Sequence, residues 1–193
     1  MRQGNIVLGN GAHTLNLVAT AGDLKADRLL SSGNTTASAS ANLFANILTH
    51  GDLHLTAGGT LTLSGQSLSG GNATLTAGSM NIGTLVSGVD FVATEQSGGS
   101  LTLKSNNTQS GYTTLTTNGT IDAGTLLSAQ ALTVNAGSFN ATNVTSNTTA
   151  NITGATTISG QLLAGSDLSV TGLQSTSRQL SLALIWSLWP KEQ

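Results

Sequence analysis

Two near-copies of one octapeptide stand twenty residues apart: Gly51-Asp52-Leu53-His54-Leu55-Thr56-Ala57-Gly58 returns as Gly71-Asn72-Ala73-Thr74-Leu75-Thr76-Ala77-Gly78. The stretch between them, Gly59-Thr60-Leu61-Thr62-Leu63-Ser64, recurs as Gly99-Ser100-Leu101-Thr102-Leu103 and more loosely as Gly119-Thr120-Ile121-Asp122-Ala123. Self-similarity at such a period marks a solenoid, in which no single unit buries its own apolar face and stacking the units does. A body of this kind grows by adding units and presents surface or spans distance more readily than it encloses a pocket.

Each unit carries three short apolar steps. One series runs Leu17, Leu55, Leu75, Val92, Leu115, Val134, Ile152, Val170, with spacings from Leu55 onward of 20, 17, 23, 19, 18 and 18. A second runs Leu61, Met80, Leu101, Ile121, Phe139, Ile158, and a third Leu29, Ile47, Leu68, Leu85, Leu126, Val144, Leu162, with Thr108 filling the gap after Leu85. Within a step the pattern alternates, as in Leu53-His54-Leu55, so each step is a strand with one buried and one wet face. Stacked in parallel, such strands lie about 4.8 Å apart and set like residues above like. The corners fall at Gly58-Gly59, Gly70-Gly71-Asn72, Gly78, Asn118-Gly119 and Gly137, where positive φ or side-chain bonds to the backbone are expected. A left-handed β-helix of hexapeptides would keep strict coils of eighteen, whereas these vary from about seventeen to twenty-three, which favours the right-handed form. The expected fold is an all-β, right-handed parallel β-helix of about nine coils, three short strands per coil, making a rod of about 40 Å.

With 38% apolar and 7% charged residues the chain is too apolar for the disordered class. A single proline, Pro190, suits an unbroken ladder, since proline withholds a donor that the neighbouring coil needs. A formal net charge of −2 offers no basic footprint, so no nucleic-acid partner is expected. There are no cysteines, the opening Met1 to Leu8 does not read as a signal peptide, and no apolar run is long enough to span a membrane.

The segment Gly51 to Ile82, GDLHLTAGGTLTLSGQSLSGGNATLTAGSMNI, resembles the haemagglutinin repeats of filamentous haemagglutinin and related two-partner-secreted adhesins, including the stalks of contact-dependent growth-inhibition exoproteins. The likeness covers about Asn10 to Gln174. It implies a β-helical shaft of a secreted or cell-surface bacterial protein, exported through an outer-membrane two-partner transporter. The partners it implies are glycans or proteins on host or neighbouring cells. The family's long amino-terminal secretion region and a toxin domain have no counterpart here, so the chain resembles an internal piece or a truncated relict.

The expected division is a repeat domain over 1–174 and a non-repeat apolar tail over 175–193, which holds both tryptophans and the proline. An open β-helix end presents unpaired edges, so the tail reads as a cap; a tail from outside the repeat frame and a membrane-contacting stretch are the alternatives. The amino-terminal end lacks a comparable segment and is the expected site of self-association.

Few residues invite chemistry. His50, Asp52 and His54 alternate and could leave one face together, a spacing that could hold a metal, although solvated corner residues explain them as well. Asp23, Lys25, Asp27 and Arg28 form the one charged cluster, of the kind a polysaccharide lyase uses, but Asp52, Asp90, Asp122 and Asp167 are dispersed. Asn-x-Thr triplets begin at Asn34, Asn72, Asn106, Asn118, Asn140, Asn143, Asn147 and Asn151 and read as turn chemistry before glycosylation. Threonine pairs at Thr60-Leu61-Thr62, Thr74-Leu75-Thr76 and Thr114-Leu115-Thr116 suggest an ice-binding array, which Ser138-Phe139-Asn140 and Asn151-Ile152-Thr153 interrupt. The expectation is a non-enzymatic module with no catalytic, cofactor-binding or metal residues and no cofactor; a carbohydrate-binding or lyase-like β-helix with a groove on one face is the alternative.

Overall fold

The structure, a computed structural model, describes residues 5–7, 13–96, 98–104, 107–176 and 179–182. All the regular structure among them is β, and every strand pairing is parallel. The strands form one continuous sheet wound into a solenoid of about nine turns. Face A stacks Leu15–Ala19, Thr35–Ala39, residues 53–57 and 73–77, Phe91–Glu95, Thr113–Thr116, and residues 132–135, 150–153 and 168–171. Face B begins at Leu24–Lys25 and Leu43–Ala45, passes through Ser100–Leu103 and ends at residues 173–176. Face C begins at Asn5–Val7, Arg28–Ser31 and Ile47–Thr49, passes through Asn107–Gln109 and Gln161–Ala164, and ends at Gln179–Leu182. Three strands per coil, aliphatic inside, is the expected architecture.

In-register pairing turns the repeat into columns. The central column of face A is Leu17, Ala37, Leu55, Leu75, Ala93, Leu115, Val134, Ile152, Val170. Ala93 is fully buried where Val92 was expected; Val92 pairs with Thr74 and Thr114 on the outer surface. The reason is space: Phe91, also fully buried, fills the next inward position of the same strand, and alanine beside it keeps the cross-section of the coil constant. On face B, Thr156 continues the column of Met80, Leu101, Ile121 and Phe139, and Ile158 stands one inward column over, above Ala141. Here too the small residue lies against the large one, since Phe139 is the neighbour of Thr156.

Face C departs most from its expected series. Leu68 pairs with Leu48 and Val86 on the outside, while Ser67 points inward with its Oγ accepting the N–H of Ile47 at 3.2 Å. Between Leu85 and Leu126 the inward residue is Asn107, fully buried, and Thr108 is exposed. Asn107 Oδ1 accepts the Leu85 N–H at 2.9 Å, and Gln109 Oε1 accepts the Ser87 N–H at 3.1 Å. A buried amide is tolerated there because it supplies the acceptors that those backbone donors need.

The ladder also continues beyond Gln174: Ser175 and Thr176 pair with Thr157 and Ile158, and Gln179–Leu182 pairs with Gln161–Ala164. Of the tail expected as a cap over 175–193, residues 177–178 and 183–193 lie outside the described residues, and of the amino-terminal end expected to self-associate only Asn5–Val7 is described before residue 13.

Leu75 is fully buried between Leu55 and Ala93. Leu75→Asp therefore places a carboxylate among aliphatic columns at a cost of several kcal/mol, comparable with the roughly 5–15 kcal/mol that holds a domain together. The variant is expected to lose cooperative thermal unfolding, whereas Thr74→Asp, on the outer face of the same strand, is expected to keep it; equal melting temperatures for both would count against the columns.

Candidate functional site

The corner between faces C and A is the most regular polar structure in the molecule. Its inward column reads Ser31, Thr49, Ser69, Ser87, Gln109, Ser128, Ser146, Ala164. A corner turns the chain away from the sheet and leaves carbonyls facing the core, where each must find a donor. The serine hydroxyls meet that need. Ser69 Oγ lies 3.1 Å from the Gly51 carbonyl and 3.0 Å from that of Asn72, its proton shared between them. Ser31, Ser128 and Ser146 repeat the arrangement on their own coils, and Thr49 donates to Gly33.

Outside this column runs a second one. Asn34 Oδ1 accepts the Asp52 N–H (2.9 Å), Asp52 Oδ1 the Asn72 N–H (2.8 Å), Asn72 Oδ1 the Asp90 N–H (3.2 Å), and Asp90 Oδ1 the Tyr112 N–H (2.9 Å). Alternation of Asn and Asp lets the Asn72 amide also donate to Asp52 Oδ1 at 3.2 Å. The other corners hold shorter versions: Asp23 to Asn42 to Thr60, Asn46 to Gly65, and Asn143 to Gln161. Asn34, Asn72 and Asn143, which begin Asn-x-Thr triplets, thus serve as ladder acceptors.

The ladders account for Gly59 and Gly71, whereas at Gly58, Gly70, Gly119 and Gly137 a side chain would meet a backbone carbonyl of the neighbouring coil, and in both cases the reason differs from the expected one. Positive φ occurs among the described residues at Gly22, Gly98, Gly154 and Gly172, not at Gly58, Gly59, Gly70, Gly71, Gly78, Gly119 or Gly137. What Gly71 provides is room: a Cβ there would lie 2.3 Å from Asp52 Oδ1. The carboxylate of one coil occupies the space that a side chain of the next would need.

The expected candidates fall into separate places. His50 is exposed at the C–A corner, while Asp52 and His54 line one shallow depression with Asn34, Thr36 and Thr74. No group of three metal-capable side chains comes together among the described residues. Asp52, Asp90 and Asp167 belong to the C–A corner, and Asp122 to face B. In the amino-terminal cluster Asp23 and Lys25 form an ion pair at 3.5 Å, with Lys25 Nζ 5.1 Å above the Phe44 ring.

Face B carries two depressions. Lys25, Asp27, Phe44, Asn46, Thr62 and Ser64 line one depression of about 400 Å³. Farther along the same face, Thr102, Lys104, Asp122, Asn140, Thr142 and Thr157 line a second, also of about 400 Å³. The outward column joins them through Lys25, Phe44, Thr62, Asn81, Thr102, Asp122, Asn140 and Thr157. Thr60-Leu61-Thr62 and Ser138-Phe139-Asn140 lie here, whereas Thr74-Leu75-Thr76, Thr114-Leu115-Thr116 and Asn151-Ile152-Thr153 lie on face A. Two faces were therefore combined in the expected threonine array. On face A alone one outward column keeps Ser38, Thr56, Thr76, Thr94, Thr116, Thr153 and Thr171, broken by Asn135.

One functional-looking group escaped the sequence reading. Glu95 is buried, accepting from Thr117 Oγ1 at 2.8 Å and from the Gly98 N–H at 2.9 Å. The repeat itself held the signal, because Glu95 stands in register with Ala57 and Ala77. No family model, curated protein or solved structure matches the chain.

Two predictions follow from the ladders. Gly71→Ala should destabilise by about 1–3 kcal/mol through overpacking, and by less in an Asp52→Ala background; equal losses in the two backgrounds, measured by denaturant unfolding, would reject the close-approach account. The Asn42 N–H and amide and the Lys25 ammonium hold the Asp23 carboxyl below its ordinary value. Its stabilisation is accordingly full above the ordinary carboxylate range and is lost as pH falls through the depressed value. Asp23→Asn should reduce that acid-side loss, seen as a smaller melting-temperature difference between neutral and strongly acidic buffer than in the native chain.

Proposed function

We propose that this chain is a structural and adhesive shaft segment of a secreted bacterial surface exoprotein, of the filamentous-haemagglutinin kind, with no catalytic role. The observation that supports the reading is the continuity of the ladder. On face A nine rungs succeed one another, each hydrogen-bonded to the next, with Asn and Asp side chains tying the corner from Asn34 to Tyr112 and serines tying it on several coils. Bending such a rod means breaking bonds along a whole rung, so it holds its length of about 40 Å. A cysteine-free chain also suits passage across an outer membrane in the unfolded state through a two-partner transporter. In this reading the solvent-facing strands meet glycans or proteins of host or neighbouring cells, and the location is extracellular.

A second reading draws on face B, whose depressions combine Lys25 and Asp27 with an aromatic ring, Phe44, and Lys104 with Asp122. Ammonium, carboxylate, amide and hydroxyl groups beside an apolar ring are the chemistry of carbohydrate recognition.

Immunogold labelling of source cells with an antibody raised against the full chain tests the first reading; label on the outer surface is expected, and exclusively cytoplasmic label would reject it. Incubation with acidic polysaccharides, with and without calcium, tests the lyase version of the second. No unsaturated product is expected, and release that disappears in Asp23→Asn or Asp27→Asn would establish an enzyme instead.

A further inference from the structure

Faces A and B alternate between inward aliphatic and outward polar residues with Val18, Val92 and Phe44 as outward exceptions, whereas face C carries an aliphatic residue outside on most of its rungs. Its strands carry aliphatic doublets, Leu29-Leu30, Ile47-Leu48, Leu85-Val86, Leu126-Leu127 and Leu162-Leu163. In each doublet the first member is buried in the core and the second stands outside. Parallel strands whose two faces are both covered read as such continuous apolar runs, whereas strands with one wet face alternate. The outward column is in register from rung to rung: Leu30, Leu48, Leu68, Val86, then Thr108, Leu127, Thr145, Leu163. Leu127 is 36% exposed and the other aliphatics of the column are half-buried, each shielded in part by the rung above and below.

The outward column of this face carries no charge, and Arg28, at the start of the strand Arg28–Ser31, is the ionisable residue among the described strands of the face. None of the strand residues 29–31, 47–49, 66–69, 84–87, 107–109, 125–128, 143–146 and 161–164 is ionisable. Depletion of charge around an apolar centre distinguishes the core of a protein interface from ordinary surface. A partner with a charged surface would have to desolvate it against nothing, so the complementary partner is itself flat, uncharged and aliphatic along a line.

We propose that face C is an interface with the same face of a second copy of this chain. Its extent agrees. Eight rungs at about 4.8 Å and a width of three outward positions, about 13 Å, give roughly 500 Å² per copy. Two copies bury about 1,000 Å² together, the lower bound for a specific interface and well short of an obligate one. Two flat sheets pack face to face about 10 Å apart, which the aliphatic column allows without rearranging the backbone. The resulting dimer is reversible and concentration-dependent, two rods lying side by side, and it is independent of contacts at the open ends and of the proposed shaft role.

Sedimentation velocity of the full chain over a thousandfold concentration range reads this directly. The expected result is a rise from one to two chain masses that stops at two. Leu68→Glu should raise the dissociation constant at least tenfold, as should Leu127→Glu, whose more exposed side chain makes it the variant to rely on if Leu68→Glu does not fold. Val18→Glu, at a 62% exposed position on face A, should leave the constant unchanged. Circular dichroism establishes folding for each. A chain that stays monomeric at the highest concentration overturns the proposal. So does association that persists in folded Leu127→Glu, or that grows beyond two copies irrespective of face C, since either points to the ends.

Discussion

Everything in this molecule depends on the parallel hydrogen-bond ladder between successive coils. It fixes the vertical spacing near 4.8 Å and leaves each residue directly above its counterpart. No large side chain can enlarge one coil without its neighbours yielding. The consequence is visible where the core holds a ring: Phe91 comes with Ala93 on its own strand, and Phe139 with Thr156 on the next coil. The period can drift from 18 to 22 residues along the central column of face A while the cross-section stays constant, because the extra residues are spent at the bends. Strand Leu53–Ser69, for example, shifts register between Ala57 and Thr60 and again between Leu63 and Gln66.

The corners answer a second demand of the same ladder. A sheet that turns three times per coil must satisfy the backbone groups that its turns release, and it does so with columns of its own. Serine serves the carbonyls that face inward at the C–A corner, and asparagine or aspartate serves the N–H groups that face outward. At several rungs the acceptor reaches into the next coil where a side chain would otherwise stand, and glycine leaves the room, as Gly51 does above Asn34, Gly71 above Asp52 and Gly111 above Asp90, while Val89 takes that place above Asn72. Thus the hydroxyl, the glycine and the Asn or Asp of one corner form a single physical unit on three successive coils: Ser31 with Gly33 and Asn34, Thr49 with Gly51 and Asp52, and Ser69 with Gly71 and Asn72. Farther along, the inward hydroxyls of Ser87, Ser128 and Ser146 continue the corner. Its polar residues are used internally, which accounts for the dispersal of the carboxylates along the rod.

The three faces are left to differ. Face A bears mainly hydroxyls outside, face B carries Lys25, Asp27, Lys104 and Asp122 around two depressions, and face C is aliphatic along most of its outward column, with Arg28 at its start. A rod with three unlike sides can support its own length, meet a polar ligand and lie against a second rod without any of these interfering with the others.

The sequence by itself determined the solenoid: its period, the alternation of Leu53-His54-Leu55, the three steps per coil and the glycine-rich corners are all local patterns that survive reading along the chain. It also determined most inward columns, since wherever polar and aliphatic residues alternate there is only one way to bury the aliphatics. Tertiary structure decided the rest, at the places where alternation fails. In Ser67-Leu68 and Asn107-Thr108 the less apolar or equally polar residue goes inward, because the rung below demands an acceptor at that height. In Phe91-Val92-Ala93 three apolar residues compete, and the phase is chosen by the columns of Leu75 and Leu115 on either side. Glu95 enters the core because its inward position, in register with Ala57 and Ala77, brings its carboxylate within reach of the Thr117 hydroxyl and the Gly98 N–H. Which threonines share a face, and which leucines form the outer stripe of face C, likewise depends on residues some twenty positions apart, and only stacking brings those together.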